Sequence, residues 1–156
     1  STSIEKVDGG YGKGYAYALP YWRQFLDGLN ALHKQRGMIV LLLAHAKVER
    51  FEDPESSAYD RYSPRLHKHA GALLTEWADI VTFATRRFRV EREDAGFNRV
   101  GGVAHGVGKD GGERILRTVG GPSCVAKSRY KLPTELDFEW SVLLYAIVSG
   151  SQSAAA

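Results

Sequence analysis

An unbroken apolar run at residues 38–44, MIVLLLA, ends abruptly on His45 and a charge-rich stretch. A strand of Ile, Val and Leu without polar alternation is expected to be covered on both faces, as in a parallel sheet. The carboxyl edge of such a sheet is where α/β proteins place their chemistry. Before the run, residues 18–36 set Trp22, Phe25, Leu26, Leu29 and Leu32 at helical spacing, with Pro20 in the first turn and Gly37 past the last. That pattern predicts a helix. After the run, residues 45–65 are polar and contain Pro54 and Pro64, which predicts a loop.

Further along, Leu66, Ala70, Leu73, Leu74 and Trp77 share one side of a second predicted helix over residues 66–77. Asp79 then introduces IVTFATRRFRVER, which starts as a buried strand and continues as an exposed, arginine-rich one. Residues 95–112 predict a glycine-rich connection, and 113–119 and 123–130 two more strands closing antiparallel hairpins. Residues 142–148 suit a short helix or a strand equally. Near the start, residues 8–14, DGGYGKG, predict a flexible loop.

Composition narrows the class. With 156 residues, 44% hydrophobic and 25% charged, the chain has material for one core of mixed type. A net charge of +3 is compatible with nucleic acid but far from a dedicated polycationic binder. The one cysteine, Cys124, excludes an internal disulfide framework and reads as a small buried strand residue. No apolar run reaches the ~20 residues of a membrane span, and the opening STSIEKVDGG has neither a basic start nor an apolar core. Residues 149–156, SGSQSAAA, are expected to be a disordered or appended tail.

The glycine motifs fail as phosphate cradles. A Walker A loop needs Gly, four residues, then Gly-Lys-Ser/Thr, because backbone amides wrap the phosphates and the hydroxyl holds magnesium. Gly12-Lys13 is followed by Gly14 with Val7 in the first position, and Gly108-Lys109 by Asp110 with Val103 there. Gly106, Gly108 and Gly111 spell GxGxxG but run into the strand-like ERILRTV, with no helix N-terminus to receive a pyrophosphate. A different cationic feature is AKSRYKLP at 126–133. In an extended chain Lys127 and Arg129 project from one face about 7 Å apart, with Ser128 opposite. Two cations so fixed suit a polyphosphate, or else blunt an exposed sheet edge.

The segments SIEKVDGGYGKGY, YWRQFLDGLNAL, GMIVLLLAHAKVERFEDPE, YDRYSPRLHKHAGALLTEWADIVTFA and AKSRYKLP, in this order, resemble the RecA-like ATPases encoded by phages. These are ATP-dependent recombination and single-strand-annealing proteins. The resemblance runs from residue 3 to about 140. It implies an α/β fold, a partial RecA-like P-loop NTPase core with parallel strands followed by antiparallel C-terminal strands and helices packed on the sheet.

It also implies roles. His45 matches the γ-phosphate sensor, where bacterial recombinases carry glutamine. A neutral imidazole can donate to a phosphate oxygen, and protonation would strengthen this. Residues 46–64 match the mobile DNA-contacting loop, in which Phe51, Tyr59 and Tyr62 are candidates for base stacking and Lys47, Arg50, Arg61 and the adjacent Arg65 for phosphate contact. Glu49, Glu52, Asp53, Glu55 and Asp60 offset that positive charge almost completely. Residues 9–15 resemble a first DNA-facing loop, with Lys13 as its phosphate contact. Lys127 and Arg129 match paired cations that reach across a subunit interface to a neighbour's ATP, stabilising charge on the transferred phosphoryl group. Ser128 departs from the asparagine expected between them.

Implied partners are single-stranded DNA and a homo-oligomer or filament built through the nucleotide interface, without a membrane. The implied place is the cytoplasm of a phage-infected or prophage-carrying bacterium. ATP and Mg²⁺ are implied for the complete family protein. The chain shows no Walker A, catalytic acid or Walker B strand, so the resemblance implies the C-terminal portion of an ATPase domain. Residues 1–148 would form a single incomplete domain that, alone, neither binds ATP tightly nor hydrolyses it. The strands at 39–43 and 80–84 would lack their shared partner, and would either pair directly or leave edges open to another chain.

Two other classes fit parts of the pattern. One is a metal-dependent enzyme using His45, His67 and His69 with Asp53, Asp60 or Asp79. Its weakness is that residues two apart on a helix point about 200° apart. The other is a non-enzymatic module that binds nucleic acid or an ATPase partner through Arg86, Arg87, Arg89 and Arg92.

Overall fold

The computed structural model describes residues 3–9, 12–55, 57–95, 99–106 and 112–152. Gly108 and Gly111, residues 10 and 11 of the first loop, and the side chains of Arg89 and Arg92 lie outside what is described. The chain divides into two compact units, residues 1–78 and 79–156. No described helix is long and apolar enough to cross a membrane.

In the first unit a 3-10 turn, Ile4–Gly9, packs against the short helix α1, Lys13–Tyr17. The glycines here serve packing. Gly12 has φ 77°, and a Cβ on Gly14 would fall 1.8 Å from the Ile4 carbonyl oxygen. Helix α2, Leu19–Arg36, forms where the periodicity predicts it, with Pro20 in its first turn and Gly37 as a left-handed cap at φ 63°. Helix α3, Lys68–Trp77, is tied to α2 by Trp77 Nε1 donating to Asn30 Oδ1 at 3.0 Å. Leu26 and Ala70 are the buried apolar side chains of α2 and α3.

Two expectations fail in this unit. Residues 45–65 are a hairpin, with β1 at Ala46–Phe51 pairing antiparallel with β2 at Tyr59–Pro64. Charged residues obscured the period-2 alternation that builds it. The run at 38–44, expected as a fully covered parallel strand, has no secondary structure and is uncovered: Ile39 is 63% exposed, Leu41 65% and Leu43 90%. A strand exists only as part of a ladder, and here β1 and β2 satisfy one another.

Among the described residues, the second unit holds three small sheets. β3 (Ile80–Val81) pairs with β8 (Lys127–Ser128), β7 (Arg114–Arg117) lies between β4 (Phe83–Arg86) and β9 (Glu135–Asp137), and β5 (Phe88–Ala95) pairs with β6 (Arg99–Gly106). Every pairing among the described residues is antiparallel, so the parallel RecA-like sheet is not formed. Within this unit the stretch at 80–84 finds its partners in β8, which pairs with β3, and β7, which pairs with β4. The expected connection at 95–112 contains β6, whose glycines concealed a strand. Residues 142–148 belong to helix α4, Trp140–Gln152, which runs into the expected tail. Ile115, Leu116, Cys124, Thr118 and Leu136 form this unit's buried centre. Thr118 Oγ1 donates to the Pro133 carbonyl at 2.5 Å.

Candidate functional site

The two candidate trans-acting cations sit where β8 meets β3. Val81 faces Lys127 and Ile80 faces Ser128 in the antiparallel register. One step further, the Arg129 amide donates to the Asp79 carbonyl at 3.0 Å, extending the ladder past β8. On that backbone the Arg129 guanidinium donates from Nη1 to Asp79 Oδ1 at 2.6 Å. Both side chains are about half exposed, so this charge-assisted bond fixes direction more than it adds stability. Ser128 Oγ donates to the Tyr130 carbonyl at 2.9 Å and accepts the Tyr130 amide at 3.0 Å, a local turn that ends the strand. Ser128, at the position where the resemblance expects asparagine, thus bonds to its own turn. Lys127 is half-buried and Arg129 exposed.

His45 is exposed at the mouth of the β1–β2 hairpin. Its carbonyl accepts the Arg65 amide at 2.6 Å, one step beyond the Ala46 to Pro64 pairing. It thus begins a hairpin instead of ending a sheet strand, and the sensor position expected from a parallel sheet edge has no such edge here.

The candidate DNA contacts divide between the hairpin's two faces. One face carries Lys47, Glu49 and Phe51 opposite Ser63, Arg61 and Tyr59. There Phe51 and Tyr59 lie with ring centres 5.5 Å apart, and the Arg61 guanidinium stands 3.7 Å above the Phe51 ring. Glu49 accepts from Ser63 Oγ at 2.8 Å and from Lys47 Nζ at 3.4 Å. The Ser63 hydroxyl, then Lys47 and Arg61, hold its carboxyl below the usual range despite some desolvation. The three stacking and clamping candidates are thus occupied with one another. The opposite face carries Arg50, bonded to Glu52 at 3.3 Å and facing Asp60, beside Tyr62 at 46% exposure. Lys13 is exposed on α1, and Arg65 just past β2.

Sequence reasoning missed Asp79 as the partner of Arg129, since nothing local in DIVTF reports a register closed fifty residues later. It also missed the stack of Tyr15 on His67, whose ring centres are 3.9 Å apart with planes 3° from parallel. His67 and His69 come within 5.2 Å, closer than two helical positions allow, because His67 is the extended N-cap of α3 and not part of the helix. Desolvation, then His69, Lys68 and Lys47, push the His67 imidazole below its ordinary pKa. Among the described residues no three His, Cys, Asp or Glu side chains gather as a metal site.

Against known proteins, a family described as an AAA domain matches residues 1–130. No curated protein and no solved structure matches the chain.

Proposed function

The chain belongs to the AAA-domain family, and from that premise we propose that it is the phosphate-answering part of a phage RecA-like recombination or annealing ATPase. The family is ATPase-type and uses ATP with Mg²⁺. The observation that carries the reading is the backbone-anchored segment 127–129, where the β3–β8 ladder and the Arg129 to Asp79 contact hold a lysine and an arginine at one sheet edge.

The side chains fit one side of a polyphosphate. α1, α2 and α3 have Gly12, Ala18 and His67 as N-caps, none making a side-chain cap, and the glycines before α1 lack the Walker A order, which leaves these helix starts without the features of a phosphate cradle. Bound ATP and Mg²⁺ would supply the reactive phosphoanhydride. Lys127 and Arg129 would hold its terminal oxygens from outside, adding positive charge where negative charge accumulates. Arg129 would exchange its bond to one carboxylate oxygen for bonds to phosphate oxygens, which a guanidinium can meet with two donors. Such cations serve a neighbour's nucleotide, which makes a homo-oligomer or filament part of the proposal. His45, on the exposed hairpin mouth, would report phosphate occupancy to β1.

For single-stranded DNA, the outer hairpin face and its surroundings are the proposed contact, with Tyr62 to stack and Arg50, Arg65 and Lys13 for phosphates. Acidic neighbours limit this to a few charges, so fluorescence anisotropy should give a shallow salt slope, near two to three phosphates.

The decisive experiment is ATP binding and turnover by the purified chain with Mg²⁺, alone and mixed with a Walker A-bearing homologue. The expected result is no turnover alone and stimulation in the mixture that is lost in Lys127→Gln and Arg129→Gln. Turnover by the chain alone that Lys127→Gln abolishes would overturn the assignment to the trans side.

A further inference from the structure

His67 is the N-cap of α3, a place where side chains often bond the free amides of the first turn, yet it makes no such bond. Its imidazole instead lies flat on the Tyr15 ring, with centres 3.9 Å apart and planes 3° from parallel. The contact joins two stretches distant in sequence, each beside a different candidate phosphate contact. Tyr15 lies in α1, two residues after Lys13. His67 follows Arg65 by two residues, and the Arg65 amide closes the hairpin mouth on the His45 carbonyl at 2.6 Å. Lys47, in β1, is close enough to act on the same imidazole, so the base of the hairpin converges there too.

Both sides of the stack are anchored within the first unit. α1 is held to the 3-10 turn by the close approach of Gly14 to Ile4, and it runs through Ala18, its C-cap, directly into α2. The far end of α3 is tied to α2 by the Trp77 to Asn30 hydrogen bond. The stack fastens the near end of α3, and with it the exit from β2.

We propose that Tyr15 is a positioning residue for single-stranded DNA: its stack on His67 locks the first loop, with Lys13, to the hairpin exit, with Arg65, so that one strand meets both cations on a preset surface. The inference rests on the reading of Lys13 and Arg65 as phosphate contacts, and it names what holds them together. Two contacts on one fixed surface act as a unit, because the second is met at high effective concentration. Released from each other, each must be ordered by the strand itself, and the second adds little. Only the flat ring serves this role, and an aromatic pair corresponds to about a two- to tenfold change in an equilibrium.

Fluorescence anisotropy of a labelled oligothymidine with the full chain, at pH 7.5 and about 20 to 200 mM salt, reads the number of phosphates engaged as well as the affinity. Tyr15→Phe keeps the ring and should match the parent in both. Tyr15→Leu should bind about two- to tenfold more weakly at the lowest salt, with a slope shallower by about 0.7, the share of one phosphate on a single strand. Lys13→Gln should lower the slope equally, and joining it to Tyr15→Leu should lower it no further. His67→Gln removes the stack from the other side and should reproduce the shallower slope. At this pH it removes no charge, because the His67 pKa is already lowered. Proton spectra report the stack itself: the Tyr15 ring current shifts the His67 imidazole protons upfield, and Tyr15→Leu should abolish that shift while Tyr15→Phe keeps it. Weaker binding at an unchanged slope in Tyr15→Leu and His67→Gln would mean a loss of stability alone and overturns the proposal. So does a Tyr15→Phe variant that behaves like Tyr15→Leu. A parent slope unmoved by Lys13→Gln is a different failure: the loop then makes no phosphate contact, and the reading beneath the inference falls with it.

Discussion

At the scale of single residues, the Asp79 to Arg129 contact is weak in energy and strong in direction. Between half-exposed partners such a pair is worth about 0–1 kcal/mol, so Asp79→Asn should leave the urea midpoint nearly unchanged. The same substitution frees Arg129 from a competing carboxylate. Calorimetric titration with inorganic tripolyphosphate should then show binding tightened by up to about fivefold, the ratio that ~1 kcal/mol represents. Arg129→Gln should weaken it. His67 gives a prediction of opposite character. Its folded pKa lies below its unfolded value of 6.5, so its contribution to stability is complete above that pH. As pH falls through 6.5 toward the lowered value, the unfolded chain takes the proton first and stability drops. Tyr15 stacks on the ring, and desolvation, His69, Lys68 and Lys47 all lower its pKa, so the contributions share one sign. Urea midpoints at pH 7.5 and 5.5 should differ in that direction, and His67→Gln should shrink the difference. Glu49, with its lowered pKa, adds a separate loss only at more acid pH.

At the scale of elements, close backbone approaches decide what can be replaced. A methyl at Gly14 would collide with the Ile4 carbonyl, so Gly14→Ala should separate α1 from the 3-10 turn and cost about 1–3 kcal/mol in a urea titration. Gly28→Ala, with open space around it, should stabilise or leave α2 unchanged. The elements also show which signals a sequence carries. α2 was legible end to end because Pro20 and Gly37 act through their own backbone angles, independent of what packs nearby. The run at 38–44 was legible as apolar but not as unpaired, since a strand's existence depends on a partner elsewhere in the chain. The β1–β2 hairpin was hidden because Lys47, Glu49, Arg50 and Asp60 look like solvated loop, although cross-strand pairing puts them in register. β8 was expected at its place, and the candidate cations Lys127 and Arg129 with it. The Asp79 partner was not, because antiparallel register is a long-range property.

At the scale of the whole molecule, exposed apolar side chains outnumber the buried ones among the described residues. In each unit large apolar side chains remain on the surface, at residues 38–43 in the first and around α4 in the second. The uncovered run and the exposed Phe138, Trp140, Tyr145 and Val148 around α4 all belong to that surface. High protein concentration and added sulfate should therefore favour association, and Leu43→Glu, which replaces a leucine 90% exposed, should raise the concentration at which light scattering begins. Cys124 has a quieter consequence. It is the chain's single thiol, and at 1% exposure it reacts with a soluble disulfide reagent only when the second unit opens. Its labelling rate is a clock for that unit alone: slowed labelling on adding tripolyphosphate would time the arrival of an anion near Lys127 and Arg129 without any fluorophore, and unchanged labelling would mean that binding leaves the interior as loose as before.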